Sequence, residues 1–332
     1  MDPVTRNPVL DRLSEGSSPI VIDRSRCLRM RYNGNDCGLC REACSSDAVG
    51  FMPEPVIRAK ACSGCMLCTS ACPMDALRPE GSSLFELVER LKNYRKPVLG
   101  CERSGDDRAH VKTSCLGFLS TEHLIGIPLL LGMPIQINLT SCHSCPNSGI
   151  VPAVKKRLDR VRSLLPRHVP EGVIPAEQDS ELTFEEEALG RREFFQTLKT
   201  SSIEGFFELY SRLAVKPDSK AYGHKEIPRR RRLLGRAISR TAGKLKERIL
   251  GGLYFSLTVN RQCDGCGLCS ALCPTGAVRV PSRDKRRVHF NAGLCAGCGL
   301  CEDVCETGAL HLSRGFHGRE PFQFQNAAET AD

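Results

Sequence analysis

Residues Cys263 to Ala277 read "CDGCGLCSALCPTGA", with four cysteines packed into eleven positions. Working outward from this stretch, variants of the same phrase return along the chain. "CSGCMLC" begins at Cys62 and "CAGCGLC" at Cys295. Four tails share one ending: "CSSDAV" from Cys44, "CPMDAL" from Cys72, "CPTGAV" from Cys273 and "CETGAL" from Cys305. The 332 residues hold 20 cysteines, clustered rather than spread, which disfavours a disulfide framework and points to metal binding among reduced thiols. A zinc ribbon pairs two CxxC knuckles at a distance and has no use for a third and fourth thiol this close.

Three of the runs follow C-x2-C-x2-C-x3-C, the spacing with which thiolates hold a 4Fe-4S cluster, three from one run and the fourth from its neighbour. On these motifs the chain resembles the bacterial-type two-cluster ferredoxins, and it does so twice. Gly64, Gly265 and Gly297 precede the second cysteine of each run and suit a tight left-handed turn that aims N–H groups inward. Pro73 and Pro274 suit the start of a short helix after the last cysteine, and Ala48, Ala76, Ala277 and Ala309 would let that helix lie close to a cluster. The first copy, "CLRMRYNGNDCGLCREAC", places nine residues between Cys27 and Cys37, read here as a loop inserted between two ligands.

The resemblance implies four 4Fe-4S clusters held by crossover. In the N-terminal module Cys27, Cys37, Cys40 and Cys72 would hold one, and Cys62, Cys65, Cys68 and Cys44 the other. In the C-terminal module the sets would be Cys263, Cys266, Cys269 with Cys305, and Cys295, Cys298, Cys301 with Cys273. Modules this poor in apolar residues would be largely unfolded without their clusters.

Between the modules the sequence changes character. "SLFELVERL" carries a capping pair, Ser83 with Glu86, and Leu84, Leu87, Val88 and Leu91 at helical spacing. Three strand candidates each end at a cysteine: "PVLGC" at Cys101, "HVKTSC" at Cys115 and "IQINLTSC" at Cys142. A helix is expected between Cys115 and Gly132, interrupted by Pro128, and another with Val154, Leu158, Val161 and Leu165 on one face. Alternating strands and helices predict a small parallel α/β layer with its loops, and so Cys101, Cys115, Cys142 and Cys145, at the C-terminal strand ends. These four are candidates for a fifth centre, an iron–sulfur cluster or a zinc ion, or for a redox-active dithiol, with buried unligated thiols as the alternative. His143, inside "CHSCP", is a candidate ligand or a hydrogen-bonding neighbour. This segment loosely resembles the cysteine-bearing delta-type subunits of hydrogenase and heterodisulfide reductase complexes.

The fold class expected is α+β: two bacterial ferredoxin-like two-cluster modules flanking a small α/β domain with a parallel sheet and a helical linker. The boundaries are 1–81 for the first module, 82–166 for the α/β domain, 167–252 for the linker, 253–315 for the second module and 316–332 for a tail. The linker begins acidic, with Glu171, Glu177, Asp179, Glu181, Glu185, Glu186 and Glu187, and turns basic. "RRRRLLGRAISRTAGKLKERIL" reads as a basic helix over 229–250, with Leu234, Ile238, Leu245 and Ile249 on one face and Arg232, Arg236, Arg240, Lys244 and Arg248 off it. It is a packed solvated helix, a docking face for an acidic redox partner, or a peripheral contact with an anionic membrane. "RREFF" from Arg191 lacks the apolar run of an export signal and reads as a helix start with Phe194 and Phe195 inward.

The formal charge of +9 is offset by clusters of about −2 each, so it does not argue for nucleic acid, and no nucleic-acid motif is present. With no apolar stretch of spanning length and no signal peptide, the chain is expected to be cytoplasmic. There is no dinucleotide, nucleotide-phosphate or radical S-adenosylmethionine motif. The expectation is an electron-transfer component, a polyferredoxin relaying single electrons in anaerobic metabolism as a subunit or partner of a larger oxidoreductase. The rivals are a reductase with its active site at the central cysteines, and a redox sensor or iron–sulfur carrier.

Overall fold

The computed structural model describes residues 18–81, 83–165, 172–186, 225–281, 287–318 and 320–329. The "RREFF" run, Glu171 and Glu187 lie outside the described residues. The fold is mixed helix and sheet, and runs of close-set cysteines dictate its shortest elements. In the N-terminal cysteine region these are β1 (Ile20–Ile22), α1 (Leu28–Arg31), α2 (Leu39–Glu42), β2 (Val49–Phe51), β3 (Pro55–Ile57), α3 (Leu67–Ala71) and β4 (Leu77–Pro79). β1 pairs antiparallel with β4, Ile20 opposite Pro79, and β2 with β3, Val49 opposite Ile57. The inserted loop after Cys27 thus carries one turn of helix, α1.

The short helices precede the fourth cysteine of each phrase and do not follow it, contrary to the reading of Pro73 and Pro274. After Cys44, Cys72, Cys273 and Cys305 the chain makes a turn and enters a strand. The cause is a left-handed residue three positions on: Asp47 (φ 51°), Asp75 (φ 52°), Gly276 (φ 71°) and Gly308 (φ 63°). A helix cannot propagate through that conformation. Ala48, Ala76 and Ala309 instead donate their N–H groups to the sulfurs of Cys44 (3.2 Å), Cys72 (3.3 Å) and Cys305 (3.3 Å).

The central region comprises α4 (Leu84–Leu91), β5 (Val98–Cys101), β6 (Val111–Thr113), α5 (Thr121–Leu131), β7 (Ile135–Asn138), α6 (Ile150–Leu164) and β8 (Val173–Ala176). Ser83 Oγ accepts from the Glu86 N–H and starts α4, which buries Leu87, Val88 and Leu91. The four strands form a wholly parallel sheet in the order β6-β5-β7-β8. Val98, Leu99, Ile135 and Ile137 are fully buried in it, as strands covered on both faces must be. The fourth strand comes from the stretch expected to be a helical linker; Val173 and Ala176 are buried at the sheet edge, so their apolar contacts override the polar local composition. Pro128 sits inside α5, which continues to the left-handed Gly132 (φ 70°).

The basic stretch forms two helices, α7 (Arg229–Ser239) and α8 (Gly243–Leu253), broken where Gly243 takes φ 61°. α7 packs against α5: a Cβ at Gly126 would lie 2.0 Å from Leu233 Cδ2, so glycine permits the approach. Leu234, Ile238 and Ile249 are fully buried, as their spacing predicts, but so are Arg230 and Arg231, at 6% and 2% exposure. The stretch therefore packs one side into the core, while Arg240, Lys244 and Arg248 stay exposed.

The C-terminal cysteine region adds β9 (Phe255–Val259), α9 (Leu268–Leu272), β10 (Val278–Arg279), β11 (His289–Phe290), α10 (Leu300–Asp303), β12 (Leu310–Arg314), β13 (Gln325–Asn326) and β14 (Ala328–Glu329). β9 pairs antiparallel with β12 and β10 with β11. Residues expected to be a tail complete these sheets, β13 beside β11 and β14 parallel to β9. One continuous apolar core links all three regions through residues such as Leu77, Leu116, Ile238, Tyr254 and Leu300.

Candidate iron–sulfur sites

Each repeated phrase folds into a loop that ends in a short helix, with the third cysteine inside it: Cys40 in α2, Cys68 in α3, Cys269 in α9 and Cys301 in α10. Gly64, Gly265 and Gly297 take φ of 67°, 73° and 68°, as a turn toward the thiols requires. A second left-handed position, occupied by Met66, Gly267 and Gly299 at the helix caps, was not anticipated from sequence because methionine at the first site hides it.

Buried cysteines of each phrase lie close to a cysteine of a neighbouring phrase. Burial raises the pKa of Cys40 to about 12, helped by the neighbouring thiolates of Cys72, Cys37 and Cys27. Burial likewise pushes Cys68 up, with Cys65, Cys44, Cys40 and Cys62 as near charges. Cys269 is pushed to about 12 by burial and by Cys266, Cys263 and Cys305. Burial raises Cys301 too, together with Cys295, Cys298 and Cys273. Cys27, with nine residues between it and Cys37, lies near Cys37, Cys40 and Cys72.

A small hollow is lined by Cys44, Cys62, Cys65 and Cys68 with Ile20, Val49, Ile57 and Met66. Among the described residues no three His, Cys, Asp or Glu side chains converge on one point as ligands of a single ion would. Crowded buried thiols that raise one another's pKa are costly to ionise unless a cationic iron centre balances them, so the donor sets fit 4Fe-4S clusters. Arg231 adds a fixed charge. It lies 4.4 Å over the Tyr254 ring, donates to Leu253 O (2.9 Å) and favours the thiolate of Cys295, while its Nε and Nη2 find no hydrogen-bond partner among the described residues.

The parallel sheet brings the central cysteines together at its C-terminal edge. Cys101 ends β5, and the Cys115 thiol donates a hydrogen bond to it; that bond, aided by the N–H groups of Arg103 and Ser104, pulls the Cys101 pKa to about 6. Cys115 is correspondingly raised, chiefly because its proton is held in that bond, and it senses Cys65 of the N-terminal region. Burial and the charges of Cys101 and Cys145 lift Cys142 to about 11. This edge abuts the loop Cys62–Cys65: Arg103 and Asn147 donate to Ser63 O (2.7 and 3.1 Å), and a Cβ at Gly117 would lie 2.0 Å from Cys65 O. His143 is turned outward against Glu177 (3.2 Å), the role of a hydrogen-bonding neighbour.

These short cysteine loops and helices have the character of ferredoxin-type iron–sulfur modules. Comparison with known proteins agrees: residues 262–309 match the 4Fe-4S dicluster domain and residues 55–78 the 4Fe-4S binding domain. The chain is similar to the polyferredoxin protein MvhB of Methanothermus fervidus, 34% identical over 87 residues, 26% of this chain and 19% of that protein. It is also similar to a ferredoxin of Rickettsia felis, 33% identical over 69 residues, 20% of this chain and 59% of that protein. The chain thus spans less than two thirds of either relative. No solved structure gives a significant match. Together these findings support ferredoxin modules present twice and an iron–sulfur electron-transfer protein. No described helix is long and apolar enough to cross a membrane.

Proposed function

We propose that this protein relays single electrons through four 4Fe-4S clusters, as a subunit or dedicated partner of a larger oxidoreductase. The observation that carries the reading is the hollow lined by Cys44, Cys62, Cys65 and Cys68, a tail cysteine of one phrase and three cysteines of the next. Cys72 near Cys40, Cys305 near Cys269 and Cys273 near Cys301 support the same reading elsewhere. When bound, each cluster supplies a one-electron couple whose potential follows from hydrogen bonds, burial and nearby charge. The chain's residues set those quantities: the N–H groups of Ala48, Ala76 and Ala309 donate to ligand sulfur, and Arg231 holds a positive charge beside Cys295. The polyferredoxin likeness supports a place among redox partners in a complex.

Iron and acid-labile sulfide on anaerobically reconstituted protein test this, with EPR during stepwise reduction. Near sixteen irons per chain is the expected result. About eight would overturn the four-cluster reading.

A second reading is favoured by the depressed pKa of Cys101 and by the nearness of Cys115 to Cys65, which suit a fifth centre or a dithiol active site at Cys101, Cys115, Cys142 and Cys145. In that case Cys142→Ala abolishes turnover, or removes one EPR signal, while the sixteen-iron signals persist. A pure relay is indifferent to the change.

A further inference from the structure

The two cysteine regions touch, and the contact is made by the one part of the first phrase that departs from the repeat. Asn35, near the end of the insertion and only 7% exposed, bridges the regions. Its Oδ1 accepts from the Cys37 N–H (3.2 Å), and its Nδ2 donates to Asp303 Oδ2 (2.7 Å), two residues beyond Cys301. Arg31, in the same insertion, reaches across as well: burial lowers its pKa, and the thiolates of Cys273 and Cys298 act in the opposite sense.

A second strap closes the same seam from the other side. Residues 225–230 are pinned to the C-terminal region by Lys225 Nζ donating to Ser270 O (2.7 Å) and Glu226 N–H donating to Pro274 O (2.9 Å). They are pinned to the N-terminal region by Glu226 with Arg26 (2.6 Å), by Arg229 N–H to Asp75, and by Arg230 to Ser70 O (2.6 Å) and Cys72 O (2.5 Å). Cys72 and Pro274 belong to the tails that complete the sets Cys27/Cys37/Cys40 and Cys295/Cys298/Cys301. Both straps therefore draw those two sets toward each other. The outer sets point elsewhere: the Cys62 loop faces the central cysteines, and Cys266 is exposed to solvent.

We infer that the insertion Leu28–Asp36 is a docking element, with Asn35 as its positioning residue, that makes Cys27/Cys37/Cys40/Cys72 and Cys273/Cys295/Cys298/Cys301 the pair across which the two regions exchange an electron. The order along the protein is then the Cys44 set, the Cys72 set, the Cys273 set and the Cys305 set. In the step itself one electron leaves the reduced member of the pair and the other gains it, with no bond made or broken. The inference rests on the four-cluster reading above.

The test isolates the inner pair in the full chain. In Cys65→Ser/Cys266→Ser, which removes one ligand from each outer set, about eight irons should remain. The fully reduced protein should then give a spin-coupled EPR spectrum. Adding Asn35→Asp, which keeps the acceptor for Cys37 N–H but sets a carboxylate against Asp303, should weaken the coupling several-fold; Asp303→Asn should restore it. Two uncoupled signals in the eight-iron protein, or coupling indifferent to Asn35→Asp, would overturn the inference.

If the outer-ligand variants lose all iron, Asn35→Asp is examined in the sixteen-iron protein by hydrogen exchange. Amides 28–36 and 300–305 should then lose protection together while 62–68 do not. Unchanged protection at the seam would overturn the inference. Fewer than sixteen irons in the unmutated chain would instead overturn the four-cluster reading.

Discussion

The two cysteine regions use one repeat in two ways. In the C-terminal region both phrases keep the short spacing, and the left-handed tail positions are glycines, Gly276 and Gly308. In the N-terminal region one phrase is opened by nine residues and the equivalent positions are Asp47 and Asp75. The difference teaches that the regular copy is built for holding its group and the irregular one also for holding its neighbour. Asp75, besides taking the left-handed turn, accepts from Arg229 N–H, and the insertion reaches Asp303. Aspartate tolerates that backbone and adds a charge, which glycine cannot do.

Removing the metal should separate the cysteine regions from the centre most sharply. Chelation under anaerobic conditions is expected to unfold 18–81 and 253–315 while the β5–β8 sheet, with its own apolar core, keeps its slow amide exchange at 98–101 and 135–138. Uniform loss of protection would break the contrast. Next in size is Arg230→Met. It removes two short hydrogen bonds to Ser70 O and Cys72 O and takes a buried cation from beside Asp75 and Glu122. A loss of about 3–5 kcal/mol is expected in denaturant unfolding of the holo-protein, with the N-terminal region opening first.

Acid should act at the same seam. Burial lowers the His123 pKa to about 4, and Glu122 sits near 2 because the charges of Arg230 and Arg231 outweigh its burial. The unfolded chain takes up a proton at His123 near pH 6.5, before the folded one does. Stability on this account is full above 6.5 and falls as the pH drops toward 4, by at most about 3 kcal/mol. Glu122 adds a further loss below its ordinary 4.5. In unfolding titrations from pH 7 to 5, His123→Gln should flatten the decline, and an unchanged slope would remove His123 from the account.

The smallest effects compare the tails directly. Gly308→Asp, in open space at φ 63°, should cost the C-terminal region no more than about 1 kcal/mol. Asp47→Gly, which gives up only an exposed pair with Arg58, should change stability by about 0.5 kcal/mol or less. A large effect at either position would show that the tails are not equivalent turns.

Much of this protein was legible because thiol spacing is a local code. The distance between cysteines along a loop limits what they can grip together, so the cysteine phrases stand out on counting residues, and the ferredoxin likeness implies how they would combine. The helix caps at Ser83 and the buried faces of α6 and α7 were equally legible, since period and capping act within a few residues. What local composition concealed was non-local. Val173–Ala176 looks like linker until β7 offers it an edge, residues 325–329 look like tail until β9 and β11 pair with them, and Arg230 and Arg231 look like surface charge until the carbonyls of Cys72 and Leu253 accept from them.

The sequence by itself determined the cysteine phrases, the capped helix after Ser83 and the strand-end placement of Cys101, Cys115 and Cys142, because these depend on neighbours in the chain. Only the tertiary structure decided which set faces which, that the Cys62 loop lies against the central cysteines, and that the insertion is a contact rather than a blemish. Those outcomes depend on hydrogen bonds such as Asn35 to Asp303, between residues 268 positions apart, and no local pattern encodes a partner at that distance.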